Sequence, residues 1–385
     1  MRKFILFVLI LSFLLPIKVN AEELTLATNA KSAVLLEVST GEIIFTKNEH
    51  EKLHPASMTK MMSLLLIMES IEKGIIHWDD MITVSENASG MGGSQILLET
   101  NEKMSVEDLV KGVTIASGND AVVALAEAIA GTEEQFVAMM NNKVKELGLQ
   151  DTNFKNCHGL DAINHYSSAY DMAIIAKNLV SHEKILEYSS IYEMYLRENT
   201  DRKIWLVNTN KLVRFYDGVD GLKTGYTKEA GYCLTATAKK NDMRVIAVVM
   251  GEPDSKTRNA EVTNMLDYVF AQYEIEKLLS KDSVIGKVLV EKGKDKYVEI
   301  VPTEEITILH KKIDGKKNAT YEVEVQDIKA PVKVGDIVGT LKVKESETIT
   351  REVPVTVKKT IEKANIFDLY FRYLKEILSG DIHLR

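Results

Sequence analysis

The hydrophobic pattern separates three stretches of the chain, and the longest runs from about residue 30 to 275. Near its start, "KSAVLLEVSTGEIIFTKN" predicts a hairpin that turns at Thr40-Gly41, and near its end "GYCLTATAKK" and "MRVIAVVMGE" predict two adjacent strands. Between them, "SMTKMMSLLLIMESIEKG", "VEDLVKGVTIAS" and "NDAVVALAEAIAG" predict helices, the first of them buried because it is apolar nearly all round. We therefore expect an α/β (α+β) domain with a mainly antiparallel sheet and a helical middle, over residues 22–277.

The pattern changes near residue 280, where helical spacing disappears. The segments "KYVEIVPTEEITIL", "ATYEVEVQDIKAPVKVGDIVGTLKV" and "REVPVTVKKTI" alternate with period two and are broken by Gly, Pro and Asp. This pattern predicts a small all-β sandwich domain over residues 278–360.

The last stretch, residues 361–385, predicts an amphipathic helix. Its apolar and aromatic positions recur at helical spacing: Ile366, Phe367, Tyr370, Phe371, Leu374, Ile377 and Leu378. Such a helix fits a membrane interface with its aromatic face down, or it docks on the protein itself. Because the chain also carries an export signal, the membrane is the preferred interpretation.

That export signal is residues 1–21, which read as a signal peptide. Arg2 and Lys3 are followed by the apolar run Phe4 to Leu15 and by Val19 and Ala21, which suit a small-residue cleavage site after Ala21. The alternative, a retained transmembrane anchor, needs about 20 apolar residues, and this run is shorter.

Charge and cysteine content exclude several classes of partner and cofactor. The net charge of the 385 residues is −8. The leader contains Arg2, Lys3 and Lys18 and no acidic residue, so the net charge without it is −11. An acidic body without a large basic block argues against nucleic acid. Cys157 and Cys233 are too few for a four-cysteine zinc site, and we expect two free, mostly buried thiols. We predict neither a metal nor an organic cofactor.

Three short motifs carry candidate chemistry. "HPASMTK" holds Ser57 and Lys60 three positions apart, but the same Ser-x-x-Lys spacing recurs at Ser70 and Ser181, so alone it means little. Ser-x-Asn occurs at Ser85 and Ser117, whereas Lys-Thr-Gly occurs once, at Lys223. One copy of each motif lies where acyl-transfer chemistry would need it. Ser57 begins a buried helix, Ser117 lies on a connection between helices, and Lys223 lies on a strand. Their order is the one found in penicillin-binding proteins and class A β-lactamases.

Each motif has a physical task in acyl transfer. Ser57 is a poor nucleophile unless a base takes its proton, and Lys60 shares a helix face with it. Burial and the nearby charge of Lys223 are expected to lower the pKa of Lys60 enough for that role. The positive end of the helix dipole would favour negative charge developing on Ser57. Alone, Ser57 could equally be an ordinary helix N-cap.

The other two motifs suit proton relay and substrate binding. Ser117 would pass a proton from Lys60 to the leaving amine. Lys223 and Thr224 would bind a terminal carboxylate, and Gly225 would let the substrate backbone approach the strand. The backbone N–H groups of Ser57 and Tyr226 would form the oxyanion hole.

From these residues the chain resembles the low-molecular-weight penicillin-binding proteins of the serine D-alanyl-D-alanine carboxypeptidase family. The likeness extends to "HPASMTKMM", "TIASGNDAVVALAE", "YSSAYDMA" and "VDGLKTGYTKEAGYCL", and that family also has a leader, a β-rich second domain and a C-terminal anchor helix. The resemblance implies that Asn119 binds the peptide amide and that Arg258 helps to hold the carboxylate. Tyr226 departs from the family, in which many members have histidine after the glycine.

The resemblance implies an exported hydrolase, anchored peripherally on the outer face of the cytoplasmic membrane. It would remove the terminal D-alanine from peptidoglycan pentapeptide stems through an acyl-Ser57 intermediate, and β-lactams such as penicillin would acylate the same serine. A class A β-lactamase is a weaker alternative, because no Glu between residues 118 and 222 is followed by Asn four positions later. A non-catalytic wall-binding scaffold is also weaker, because it would not need Ser57, Lys60, Ser117 and Lys223 together.

Overall fold

The computed structural model of the protein describes residues 24–315, 319–345 and 348–379. The predicted leader, residues 1–21, lies outside these ranges. Among the described residues, none of the helices combines the length and the apolar character needed to cross a membrane.

The described residues form seventeen strands and ten α-helices. The strands are β1 (Ser32–Glu37), β2 (Ile43–Lys47), β3 (Met81–Thr83), β4 (Lys103–Ser105), β5 (Glu193–Leu196), β6 (Ile204–Val207), β7 (Val219–Thr227), β8 (Gly231–Lys240), β9 (Met243–Glu252), β10 (Tyr273–Leu279), β11 (Gly286–Glu291), β12 (Tyr297–Pro302), β13 (Ile306–Lys311), β14 (Ala319–Val325), β15 (Ile328–Lys329), β16 (Ile337–Glu345) and β17 (Thr348–Val357). The helices are α1 (Lys60–Glu72), α2 (Glu86–Ser89), α3 (Val106–Ala116), α4 (Asn119–Ala130), α5 (Glu133–Glu146), α6 (Ala169–Val180), α7 (Lys184–Ser189), α8 (Leu212–Phe215), α9 (Ser255–Gln272) and α10 (Ile366–Ser379).

The first domain is built on a five-stranded antiparallel sheet with the strand order β2-β1-β9-β8-β7. Both predicted strand pairs are confirmed, β1 with β2 and β8 with β9. The β8–β9 turn is made by Asn241 and Asp242, whose φ angles of 49° and 66° suit the twist of a tight hairpin. Strand β7, which carries the Lys-Thr-Gly string, lies at an edge of this sheet.

Helices cover both faces of the sheet. On one face α6 packs against β1 and β9, and α1 lies among α4, α5 and α6. Because α1 is apolar on every side, all residues from Lys60 to Met68 are buried. On the other face α9 packs against β8 and β9 through residues such as Val262 and Leu266. Each fully buried aliphatic side chain contributes about 1.5–3 kcal/mol, so these two cores hold the sheet rigidly.

The second domain is all-β, as predicted. Its six-stranded sheet has the order β14-β16-β17-β12-β11-β15, and a separate ribbon pairs β10 with β13. The predicted boundary at 277/278 is displaced, because it falls inside β10. The structural break comes where α9 ends at Gln272, since β10 begins at Tyr273 and pairs with β13 of the second domain.

The C-terminal helix α10 leaves its apolar residues in solvent. Exposed fractions run from 39% at Leu374 to 80% at Leu378, and Phe367, Tyr370 and Phe371 lie between these values. The helix is tied to the second domain by Arg372, whose Nη2 donates to the carbonyl oxygen of Gly293 at 2.6 Å. Its aromatic face is therefore not part of the protein core.

Candidate active site

Ser57 lies in a 3₁₀ turn, Ala56–Thr59, that leads directly into α1. The sequence placed Ser57 at the start of an α-helix, and the structure corrects this by one turn. In a 3₁₀ turn the side chains of residues i and i+3 eclipse each other. Lys60 Nζ is accordingly 2.9 Å from Ser57 Oγ.

Lys60 is buried and is held by three oxygen atoms. Its Nζ donates to Ser57 Oγ at 2.9 Å, to Asn119 Oδ1 at 2.6 Å and to the carbonyl oxygen of His158 at 2.7 Å. Burial lowers the pKa of Lys60 to about 7, although Cys157 and Asp120 act in the opposite direction. A lysine with this pKa is partly neutral at neutral pH and can accept a proton.

Of the two causes predicted for the lowered pKa of Lys60, burial is the dominant one. Repulsion between the two lysines also contributes to the lowered pKa of Lys223. Burial is the larger cause at Lys223 as well.

Asn119 is the first residue of α4, and its buried amide bonds both to Lys60 and to the loop beside the cleft. Oδ1 accepts from Lys60 at 2.6 Å, and Nδ2 donates to the carbonyl oxygen of Gly92 at 2.6 Å. These two bonds leave one N–H and one lone pair of the amide unused. Asn119 therefore fixes the position of Lys60, and its contact with a substrate amide stays a prediction.

Ser117 lies between α3 and α4 in the left-handed conformation, with φ 63° and ψ 31°. This is the predicted connection between two helices. Its Oγ is buried and has no hydrogen-bond partner within the described residues. An unpartnered hydroxyl at a cleft wall can both donate and accept a proton.

Lys223 on β7 is a buried lysine without a counter-ion. Its Nζ donates to the carbonyl oxygen of Thr224 at 3.0 Å, and no carboxylate in the described ranges forms an ion pair with it. Burial, then repulsion from Lys60 and Arg258, holds its pKa well below the ordinary value for lysine. An incoming carboxylate would supply the missing negative charge.

Gly225 has a packing role that the sequence did not predict. A Cβ at this position would lie 2.8 Å from the carbonyl oxygen of Pro55 and 3.1 Å from the Cβ of Ala56. Glycine is therefore required for β7 to lie against the turn that carries Ser57, while its role in the approach of a substrate backbone stays a prediction. This contact places the backbone of Tyr226 beside the nucleophile.

These residues surround an open cleft of about 480 Å³. Its walls are formed by Ser57, Ser94, Ser117, Val207, Thr209, Lys211, Thr224, Gly225, Tyr226, Tyr232, Ser255, Arg258 and Asn259. Six predicted site residues are among them, whereas Lys60, Asn119 and Lys223 are buried and do not line it.

Tyr226 and Arg258 occupy defined positions in the cleft wall. The exposed ring of Tyr226 lies against Tyr232, with ring centroids 4.3 Å apart. The Arg258 Nη2 donates to Asn259 Oδ1 at 2.9 Å and has no carboxylate partner among the residues described.

Sequence reasoning missed three contributors to the site. The carboxylate of Asp120 accepts from the backbone N–H groups of Ile96 and Leu98, each at 3.0 Å, and so holds the loop beside the cleft. His158 offers only its main-chain carbonyl, for which a sequence gives no signal. Thr209 accepts a hydrogen bond from the Thr224 hydroxyl at 2.8 Å. Asp120 could have been noticed, because it directly follows Asn119.

The two other Ser-x-x-Lys strings form no site. Ser70 Oγ donates to the carbonyl oxygen of Leu66, and Lys73 pairs with Glu69 at 3.1 Å. Lys184 pairs with Glu187 on the surface. Within the part of the chain that the structure describes, no three His, Cys, Asp or Glu side chains could hold a metal ion. Cys157 and Cys233 are free and buried.

Comparison with known proteins shows the family to which the chain is similar. Residues 18–254 match a family model described as D-alanyl-D-alanine carboxypeptidase, and residues 273–363 match one described as penicillin-binding protein 5, C-terminal domain. The D-alanyl-D-alanine carboxypeptidase DacF of Bacillus subtilis is 54% identical over 92% of this chain and 90% of its own.

Solved structures give the same result. Penicillin-binding protein 5 from Haemophilus influenzae is 33% identical, with a TM-score of 0.70 over 87% of this chain and 98% of that one. Penicillin-binding protein D2 from Listeria monocytogenes, in its ampicillin-bound form, is 29% identical, with a TM-score of 0.57 over 63% of this chain and 98% of that one. The chain belongs to the D-alanyl-D-alanine carboxypeptidase family of penicillin-binding proteins.

Proposed function

We propose that the protein is a serine-type D-alanyl-D-alanine carboxypeptidase that removes the terminal D-alanine from peptidoglycan pentapeptide stems. The observation that carries this proposal is the 2.9 Å approach of Lys60 Nζ to Ser57 Oγ, with that amine buried and its pKa lowered to about 7. A serine beside a partly neutral amine is an activated nucleophile.

In the first half-reaction, Ser57 Oγ attacks the carbonyl carbon of the penultimate D-alanine while neutral Lys60 takes the hydroxyl proton. The backbone N–H groups of Ser57 and Tyr226 stabilise the negative oxygen of the tetrahedral intermediate. Collapse breaks the peptide bond, and the proton passes from Lys60 through Ser117 to the leaving amine. The second half-reaction reverses these transfers with water as nucleophile, releases the shortened stem and restores Ser57.

Substrate orientation comes from the edge strand β7 and the cations beside it. An extended peptide can lie along an open sheet edge. The terminal carboxylate is held by Lys223, Thr224 and Arg258, and its charge raises the pKa of Lys223 again, so the lysine binds as a cation. A substrate without this carboxylate cannot stabilise the protonated form of Lys223, so it loses this ion pair.

β-Lactams enter the same pathway as substrate mimics. The lactam carbonyl takes the place of the scissile carbonyl, and opening of the ring leaves an acyl group on Ser57. The ampicillin-bound form of the Listeria monocytogenes relative supports this part of the proposal.

We place the mature chain on the outer face of the cytoplasmic membrane, exported by residues 1–21 and anchored peripherally by α10. The support is the exposed aromatic stripe of α10, together with its small attachment to the second domain through Arg372. Apolar area of this size in solvent marks an interaction surface.

The test is incubation of the purified protein with a peptide ending in D-Ala-D-Ala, with assay of released D-alanine. Intact-mass detection of a penicillin adduct, mapped to one peptide, accompanies it. We expect D-alanine release and one adduct at Ser57, both abolished in Ser57→Ala and both kept in Ser70→Ala, which alters a Ser-x-x-Lys string away from the cleft. Absence of D-alanine release by the parent chain would defeat the proposal.

A further inference from the structure

The two-stranded β5–β6 ribbon presents an aromatic face to solvent. Side chains alternate between the faces of a strand, and on β6 Leu206 is buried whereas Trp205 is 56% exposed. Tyr195 of β5 lies directly opposite Trp205 in the antiparallel pairing and is 47% exposed. Glu193, exposed and opposite Val207, lies on the same side. We call the outward side chains Glu193, Tyr195, Lys203, Trp205 and Val207 the ribbon face.

The ribbon face begins at the active-site cleft. Val207 and Ser94 both line that cleft. Lys203, four residues earlier, lines a second cavity of about 460 Å³ together with Gln95, Leu97, Leu98 and Glu99. The 94–99 loop and the β5–β6 ribbon therefore contribute to both cavities, and Trp205 lies between Val207 and Lys203 along the ribbon without lining either one. We call the surface between this loop and the ribbon the groove.

The walls of this groove are fixed in advance. Glu102 accepts from Arg197 Nε at 2.6 Å and from Arg202 Nη1 at 2.9 Å. Arg202 also donates to the carbonyl oxygen of Leu97 at 2.7 Å, and Asp120 holds the same loop from the interior. A preformed groove binds its ligand without an ordering cost.

The chemistry of the ribbon face suits a carbohydrate. Sugar rings combine an apolar C–H face with polar edges, and they match an exposed indole or phenol ring that also offers an N–H or O–H group. The ammonium of Lys203 lies 4.0 Å from the centre of the Tyr195 ring and 3.8 Å from a carboxylate oxygen of Glu198. Lys211 is a further cation, in the cleft wall, where it can meet a free carboxylate of a stem peptide.

The length of a stem peptide is sufficient for such a substrate. Residues on a strand are about 3.3 Å apart, so Trp205 lies roughly 7 Å along β6 from Val207 in the cleft wall. Each extended stem residue between the scissile bond and the sugar adds about 3.3–3.6 Å. A stem of several residues bound at Ser57 is therefore long enough to carry its sugar past Val207 to Trp205.

Resting on the proposed carboxypeptidase function, we propose that the ribbon face binds the glycan chain of peptidoglycan, with an amino-sugar ring stacked on Trp205. The enzyme then binds both the end of the stem peptide and the glycan chain to which that stem is attached. Recognition of polymeric peptidoglycan is separate from the acylation chemistry.

The first test measures binding without catalysis. The chain has two tryptophans, so Trp78→Phe leaves Trp205 as the only indole emitter. We expect its fluorescence to change saturably on addition of peptidoglycan glycan strands stripped of stem peptides, and not with dextran. Loss of the same signal in Trp205→Phe of the parent chain gives an independent check. No change with the glycan, or a change with phospholipid vesicles instead, overturns the proposal.

The second test compares two substrates. Trp205→Ala should raise KM about ten-fold for a disaccharide-pentapeptide while leaving kcat, and hydrolysis of a short peptide ending in D-Ala-D-Ala, unchanged. Phe215→Ala, at a 70% exposed ring outside the ribbon face, is the matched control and should alter neither. Equal loss on both substrates, or none on the disaccharide-pentapeptide, contradicts the proposal. Failure of the parent chain on the short peptide defeats the proposed function instead, while the glycan titration still tests the ribbon face.

Discussion

The surroundings of Lys60 and the C-terminal helix α10 depart in opposite ways from the usual burial of apolar side chains and exposure of charged ones. Lys60 is a charged side chain with no exposed surface, whereas Phe371 is an aromatic side chain that is 64% exposed. Proteins ordinarily place these residue types the other way round. Both exceptions carry a free-energy cost, and each marks a place where the chain meets something outside itself.

The two regions differ in how the exception is supported. Lys60 is held by Ser57, Asn119 and the His158 carbonyl, so a single geometry is fixed before any substrate arrives. Helix α10 has the Arg372 contact and an open apolar stripe. A buried charge with partners in place indicates chemistry, whereas apolar surface without partners indicates a binding surface that awaits its occupant.

The largest effect is expected from Lys60→Arg, which tests whether the buried Lys60 acts as the base. Arginine preserves the positive charge but keeps its proton in proteins, so Ser57 loses its base. We expect acylation by penicillin to fall about 10³-fold, within the usual range for a general base. Lys73→Arg, at an exposed lysine that pairs with Glu69, is the matched control and should acylate normally. Near-normal acylation by Lys60→Arg would show that another group takes the proton.

The pH dependence of acylation sharpens the same point. Lys60 accepts a proton only when neutral, and its pKa is about 7. The second-order acylation rate should rise about ten-fold per pH unit below 7 and level off above it, so that pH 5 is about 100-fold slower than the plateau. Burial lowers the pKa of His158 to about 3, so this neighbour does not titrate in that range. A flat profile between pH 5 and 8 would contradict a titrating Lys60.

Much of the fold followed from periodicity, because the strongly patterned segments are also the buried ones. The hairpin β1–β2, the pair β8–β9 and helices α3 and α4 all lie where their patterns predicted them. The boundary between the domains does not lie where the pattern predicted it, because β10 follows α9 without an intervening linker. A change in composition locates a domain boundary well only where a loop separates the two domains, and here there is none.

The members of the candidate site followed from motif order, whereas their contacts did not. Ser57, Ser117 and Thr224, one from each motif, line one cleft together with Arg258, which the resemblance implied. That Asn119 faces Lys60, and that Gly225 makes room for Pro55, depends on distances between segments far apart in sequence. The His158 contribution comes from a main-chain carbonyl, which every residue has, so the sequence cannot indicate it.

The second half of the comparison predicts a smaller effect, in membrane binding. Phe371→Ala removes an aromatic ring from the stripe of α10, and transfer of such a ring contributes about 2 kcal/mol. We therefore expect the partition of the purified chain onto phospholipid vesicles, measured by co-sedimentation, to fall about 30-fold, with acylation of Ser57 unchanged. Phe215→Ala removes an equally exposed ring from the first domain and should leave partition as it was. Equal binding by both variants would favour α10 docking on protein, since only a stripe inserted into lipid makes partition depend on Phe371 and not on Phe215.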